Sequence, residues 1–202
     1  MVRFVVGTAK DIPTSLYLSM GRFRYETFVE MLHWHLPDSD EKTRLEFDCF
    51  DTQSAKYVIG INGEGVIIAC ARLLPTTRPY LLQCVFPSLV EKDTLPNSDD
   101  VWEISRLAVE RSQTAIFQLS QQLFTATILT AAQSGAHSVI GVITVGMERF
   151  YRRIGFPLRR FGTVSCAQGE QITACTIDTS YISIESQGTL PISVEAMAIG
   201  SA

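Results

Sequence analysis

Apolar and polar positions alternate in blocks that read as strands and helices along this 202-residue chain. Residues 3–6 form a short apolar strand closed by Gly7. Over residues 14–32 the apolar side chains Leu16, Met20, Phe23, Phe28 and Met31 recur at near-helical spacing, which predicts an amphipathic helix with Asp11 as its N-cap and Pro13 close behind. Residues 34–52 lose that period, are rich in charge and carry Pro37, so they read as a long loop, and long loops in compact domains are usually functional. The runs 57–61 and 66–74 flank Asn62-Gly63-Glu64-Gly65, a strong hairpin signal because Asn-Gly supplies the positive φ angles of tight turns. Residues 85–100 carry loop punctuation with one short helix.

Residues 101–109 read as a strand that places Trp102 and Ile104 on one face and Glu103, Ser105 and Leu107 on the other; Arg106 falls opposite Glu103 unless a bulge re-aims it. A second long helix is predicted over 113–133, closed by Gly135. A buried strand over 138–144, a short helix over 147–154 stopped by Gly155, and a hairpin of 158–166 with 171–178 around Gln168-Gly169 complete the pattern. This order predicts an α/β fold, a three-layer α/β/α sandwich with a mixed, mostly antiparallel sheet. One domain is expected over 1–178, with a loosely packed tail over 179–202.

Composition narrows the classes. A 46% hydrophobic content supports a full core, and a formal charge of −4 argues against bulk nucleic acid as the main partner. The charge is uneven, however: Arg149, Arg152, Arg153, Arg159 and Arg160 crowd into twelve residues with only Glu148 nearby. A solvated helix face and a landing site for an acidic protein both account for such a run. Five cysteines without CxxC spacing read as reduced, buried thiols, and three scattered histidines give no metal site. No apolar run approaches a membrane span or signal peptide, so a cytoplasmic chain is expected.

Candidate chemistry sits in the first half. Arg24 and Arg72 lie in apolar surroundings and need anionic partners, for which Asp48, Asp51 and Glu103 are available, either as a structural ion-pair network or as part of a site. Phe28, Trp34, Phe47 and Phe50 beside Asp48 and Asp51 suit a cationic ligand, or staple the loop to the core. Glu103 within Trp102-Glu-Ile-Ser-Arg106 is a candidate general base toward an amine, or a salt-bridged structural acid.

Arg24, Phe28, Trp34, the Asp48-x-x-Asp51 pair, Arg72, Phe86 and Glu103-x-Ser105-Arg106 occur in the order and spacing of the acyl-homoserine-lactone synthases, which make quorum-sensing autoinducers. The chain resembles that family from about Phe4 to Asp178, and the phrase from Cys70 to Leu82 is especially similar to one branch of it. The resemblance implies a fold similar to the N-acetyltransferases. It also implies acyl transfer from acyl-acyl carrier protein to the amine of S-adenosylmethionine, then lactonisation with release of methylthioadenosine. No cofactor is implied, since S-adenosylmethionine is a substrate. Where an acetyl-coenzyme A transferase of this topology carries spaced glycines for the pyrophosphate, the join 108–114 has none, which puts coenzyme A's phosphates in doubt. An acyl-CoA-dependent N-acyltransferase, or a CoA-using lactone synthase of the same fold, is the alternative.

The residue roles follow from the same resemblance. Arg24, Phe28, Trp34, Ser105 and Arg106 would form the S-adenosylmethionine pocket, and Asp48 and Asp51 would hold the loop through Arg24, Arg72 or the ligand amine. Glu103 would be the base, among catalytic residues that also include Arg24, Asp48, Asp51, Arg72 and Arg106. Phe86, Trp102, Leu123, Thr144, Met147 and Phe150 are candidates for the acyl pocket, with Thr144 offering a hydroxyl to a 3-oxo group. The five arginines of 149–160 would dock the acidic carrier protein. Leu107 departs from the Phe that relatives often carry after the Ser-Arg pair.

Overall fold

The computed structural model describes residues 2–91, 94–111 and 116–181 and the backbone of 194–196. It divides into two compact units of interleaved segments: Met1–Arg72 with Arg106–Ala126 and Leu190–Ala202, and Leu73–Ser105 with Thr127–Thr189. Two strands, β3 (Ile67–Pro75) and β4 (Val101–Val109), contribute to both.

In the first unit, β1 (Arg3–Thr8) pairs antiparallel with β2 (Lys56–Ile61), which turns at Asn62 into β3. Asn62 anchors that turn, its side-chain oxygen accepting from the amides of Glu64 and Val66 while Gly65 adopts φ 83°. Phe4, Val58, Ile68, Ala69 and Ala71 form a core with Leu119, Leu123 and Ala126 of α3 (Ile116–Gln133). The expected N-terminal helix is two helices in series. The first, α1 (Thr14–Arg24), gives way to a π-helical turn at Tyr25–Met31. Its N-cap is Pro13, without a side-chain cap; Asp11 instead accepts from the amide and hydroxyl of Thr8 at 2.8 and 2.7 Å and closes the preceding turn.

In the second unit the strand order is β6-β7-β5-β4. Here β4 runs parallel to β5 (Ser138–Thr144), and β7 (Glu170–Asp178) pairs antiparallel with both β5 and β6 (Arg159–Ala167). The β6–β7 hairpin turns at Gln168 and Gly169, both with positive φ as a tight primed turn requires. A single-turn helix, α2 (Leu81–Cys84), precedes a 3-10 turn at Pro87–Leu89. The helix α4 (Val145–Arg153) is capped by Thr144, whose hydroxyl accepts from the Met147 amide at 3.2 Å.

Mixed pairing within an α/β chain agrees with the fold class expected. From the tail at 179–202, residues 194–196 (β8) add a parallel strand to β1, and the rest beyond Tyr181 lies outside the described residues. So do residues 112–114 of the glycine-free join. Of the five cysteines, Cys70 and Cys175 are buried, whereas Cys49, Cys84 and Cys166 are exposed, against the expectation of buried thiols. No helix among the described residues is long and apolar enough to cross a membrane.

Candidate active site

The loop of residues 34–52 is ordered by ion pairs and close packing in the first unit. It crosses α1 at Gly21, whose carbonyl accepts from the Glu46 amide at 3.1 Å. A Cβ there would stand 2.6 Å from the Phe47 ring, so only glycine admits the crossing. Phe47 in turn stacks on Tyr17 with centroids 4.7 Å apart.

This crossing brings three carboxylates to three arginines. Arg24 donates through Nη1 and Nη2 to the two oxygens of Asp51 at 2.9 and 3.0 Å, and through Nε to Glu46 at 2.5 Å. Arg72 takes Asp48 in the same two-pronged way at 2.5 and 2.9 Å and lies 3.0 Å from Asp51. Arg106 donates to Glu46 at 3.0 and 2.9 Å and to Asp48 at 2.8 Å. The contacts close into a ring of alternating sign: Arg106, Glu46, Arg24, Asp51, Arg72, Asp48 and back to Arg106. Both oxygens of each carboxylate are engaged, so the desolvation of six charges is offset by paired geometry.

Burial works to raise the Asp51 carboxyl, but the Arg24 and Arg72 charges outweigh it and hold Asp51 well below the ordinary carboxylate range. The Tyr57 hydroxyl completes Asp51, donating at 2.9 Å, and Tyr57 is itself pushed far up by burial and then by the Asp51 charge. Burial likewise drives the Cys70 thiol up to about 12, leaving it a neutral neighbour of the ring.

Arg106 reaches the ring through an irregularity in β4. Its φ of 50° is unusual for a side-chain-bearing residue, and its ion pairs hold that conformation in place. This is the re-aiming that strict alternation left open. Its guanidinium carbon sits 5.7 Å from the Phe28 ring centroid, and its Nη1 makes no hydrogen bond among the described residues. Phe28 stacks against Trp34 at 5.0 Å and 17°. The π turn explains that stack: Leu32 N donates to the Thr27 carbonyl, His33 turns back with φ 55°, and Trp34 N donates to the Phe28 carbonyl at 2.8 Å.

Arg24, Phe28, Trp34, Asp48, Asp51, Arg72 and Arg106, expected together from their sequence pattern, meet in the first unit. Glu46, a 1%-exposed acid that bridges two of the three arginines, is not among the expected residues. The signal available was a third carboxylate in alternation with Asp48, on the same side of an extended Leu-Glu-Phe-Asp run.

Glu103 is not a ring member. It lies in the second unit, 1% exposed, and its oxygens accept from the Leu81 and Leu82 amides at 2.7 Å each, at the start of α2. Burial, then the Glu103 charge, pushes the Tyr80 phenol up to about 12, while its hydroxyl donates to the Pro96 carbonyl. Ser105 and Phe86 are half-buried, as are Thr144 and Phe150; Trp102 is buried and Met147 exposed. Leu123 packs in the first unit's core. All five arginines of 149–160 are exposed, with Arg152 and Arg160 held by Glu148.

Residues 13–186 match the family model for autoinducer synthases. The chain belongs to the autoinducer synthase family. As an acyl-homoserine-lactone synthase it is an enzyme of quorum-sensing signal synthesis. The synthase is 39% identical over 184 residues to the acyl-homoserine-lactone synthase of Ralstonia nicotianae, covering 88% of this chain and 89% of that one. It is 40% identical to TofI, solved in a ternary complex with an inhibitor and MTA, with a TM-score of 0.77 over 88% of this chain and 91% of that one. BjaI, a CoA-dependent synthase solved with SAM and isopentyl-CoA, shares the fold at 22% identity, with a TM-score of 0.82 over 97% and 93% of the two chains. A Lactobacillus plantarum structure named "putative N-acetyltransferase" shares it at 17% identity and a TM-score of 0.59, over 88% and 98%. The synthase therefore has the acetyltransferase-type fold expected.

Proposed function

We propose that this synthase takes its acyl group from acyl-acyl carrier protein and transfers it to the amine of S-adenosylmethionine. The observation that carries the donor assignment is the charge imbalance on α4 and β6, five exposed arginines of which two are paired with the buried Glu148, on a protein of net charge −4. A small acidic carrier protein complements that patch.

In the S-adenosylmethionine half, the stacked Phe28 and Trp34 offer π faces to adenine and sulfonium, and the unengaged Nη1 of Arg106 suits the substrate carboxylate. Arg24, Asp48, Asp51 and Arg72 act by fixing that arginine and the loop, with Glu46 as the further link; Ser105 flanks Arg106. Glu103 serves as the base. The α-ammonium gives it a proton, the free amine attacks the thioester carbonyl, the C–N bond forms and the C–S bond breaks, and the pantetheine thiol leaves. The amino acid's carboxylate then attacks its own γ-carbon, and the sulfonium departs with the electron pair as methylthioadenosine.

Phe86, Trp102, Met147 and Phe150 are assigned to the acyl chain. The Thr144 hydroxyl, which accepts from Met147 N, keeps its proton to donate to a 3-oxo group. Leu123 is left to the core.

Two measurements test this. With S-adenosylmethionine saturating, acyl carrier protein thioesters should turn over much faster than the matching coenzyme A thioesters; the reverse order rejects the donor assignment. Glu103→Gln should lower lactone formation by about a hundredfold or more with S-adenosylmethionine affinity kept. Full activity in that variant would sink the base role.

A further inference from the structure

The acid that two of the clustered arginines of the second unit grip is nearly sealed from solvent. Glu148 lies in the first turn of α4 with 3% of its side chain exposed, while Arg152 and Arg160, which grip it, are 50% and 39% exposed. Its oxygens are divided between them. Oε1 takes Arg152 Nη2 at 3.2 Å; Oε2 takes Arg160 Nε at 2.7 Å and also Arg160 Nη2. Arg152 comes from the same helix one turn on, whereas Arg160 comes from β6, where it sits opposite Cys175 of β7. Glu148 therefore ties a helix and a strand together beneath the exposed guanidiniums. Arg149, Arg153 and Arg159 make no salt bridge among the described residues.

Resting on the carrier-protein reading above, we infer that Glu148 is the positioning residue of the docking surface. It holds Arg160 as a prearranged guanidinium fork and Arg152 by an ion pair, while Arg149, Arg153 and Arg159 add charge. A guanidinium has five N–H donors; Glu148 occupies two from Arg160 and touches Arg152 through an ion pair alone, so both keep donors for the carboxylates of an acidic partner. Ordering a long side chain at an interface lowers affinity roughly two- to tenfold, and a fork already held by a buried acid is spared most of that.

This role and simple charge complementarity predict opposite signs. Removing an acid from a basic patch should strengthen binding of an acidic partner if charge alone matters, and weaken it if Glu148 positions the arginines. Glu148→Gln should raise KM for acyl carrier protein about five- to tenfold, with KM for S-adenosylmethionine as in the wild type. A carrier-protein KM equal to or below the wild-type value overturns the proposal. Should that variant fold poorly, Arg160→Lys decides, since it keeps the charge and loses the fork: a carrier-protein KM raised at least twofold supports the role, and an unchanged one overturns it. Arg149→Glu with Arg153→Glu separates this from the reading beneath it. If that pair leaves the carrier-protein KM unchanged, the docking assignment itself fails. If it raises KM while Glu148→Gln and Arg160→Lys do not, only the positioning role is lost.

Discussion

The two arginine assemblies use the same chemistry to opposite ends. In the first unit, Arg24, Arg72 and Arg106 meet Glu46, Asp48 and Asp51 one for one, and the ring closes on itself with side chains at most 9% exposed. In the second, two of five clustered arginines hold one acid, Arg159 acts on Asp178 only through its charge, and all five stay exposed. A balanced, closed set has nearly all its donors spent internally, so its charge is invisible from outside and its effect is rigidity. An unbalanced set has donors left over and projects a field. Stoichiometry, more than burial, separates an arginine that holds a loop from one that meets a partner.

Breaking the ring gives the largest effect. Arg24→Met leaves three buried carboxylates facing two arginines and should destabilise the protein by about 3–5 kcal/mol, read as a lower urea midpoint. Tyr57→Phe removes one buried donor from Asp51 and should cost about 1.5–3 kcal/mol by the same measurement, with the ring's charges intact. Acid sharpens the contrast. Asp51 has a depressed pKa in the folded state, so its contribution is whole above the unfolded aspartate value of about 4 and is lost as the pH falls below it. A midpoint that does not drop further between pH 4 and 3 would contradict the ring. Arg149→Glu with Arg153→Glu should leave stability within about 0.5 kcal/mol while raising the carrier-protein KM. Smallest is Arg44→Ala, which breaks an exposed pair with Glu30 and should shift stability by no more than about 1 kcal/mol.

Much of this was legible in the order of residues. Period and turn chemistry gave β5 at 138–144 and β4 at 101–109 to the residue, but not the burial expected of β5, where only Val139 and Ile140 are buried and the rest is half-buried. The π turn was not legible, since near-helical spacing does not distinguish one extra residue per turn from a regular helix. Arg24, Asp48, Asp51 and Arg72 were visible as charges that burial would force together, yet their pairing was not, because it depends on where the loop crosses Gly21. Glu103 was open between base and structural acid. Its hold on the Leu81 and Leu82 amides could not be read beforehand, since a four-residue helix leaves no periodic trace. The same holds for Glu148, which looked like one acid in a basic run until its burial separated it from its neighbours.

The π turn makes the chain sensitive to length at one place. Tyr25–Met31 carries the register change that returns Trp34 to Phe28. Deleting a single residue there would let the segment relax into ordinary α-helix, with each later side chain displaced by about 100° around the axis. Arg24, upstream of the change, would keep its place, whereas Phe28 and Trp34 would no longer share a face. Substitutions in this stretch should be far better tolerated than indels, so its length, more than its composition, is the trait under constraint.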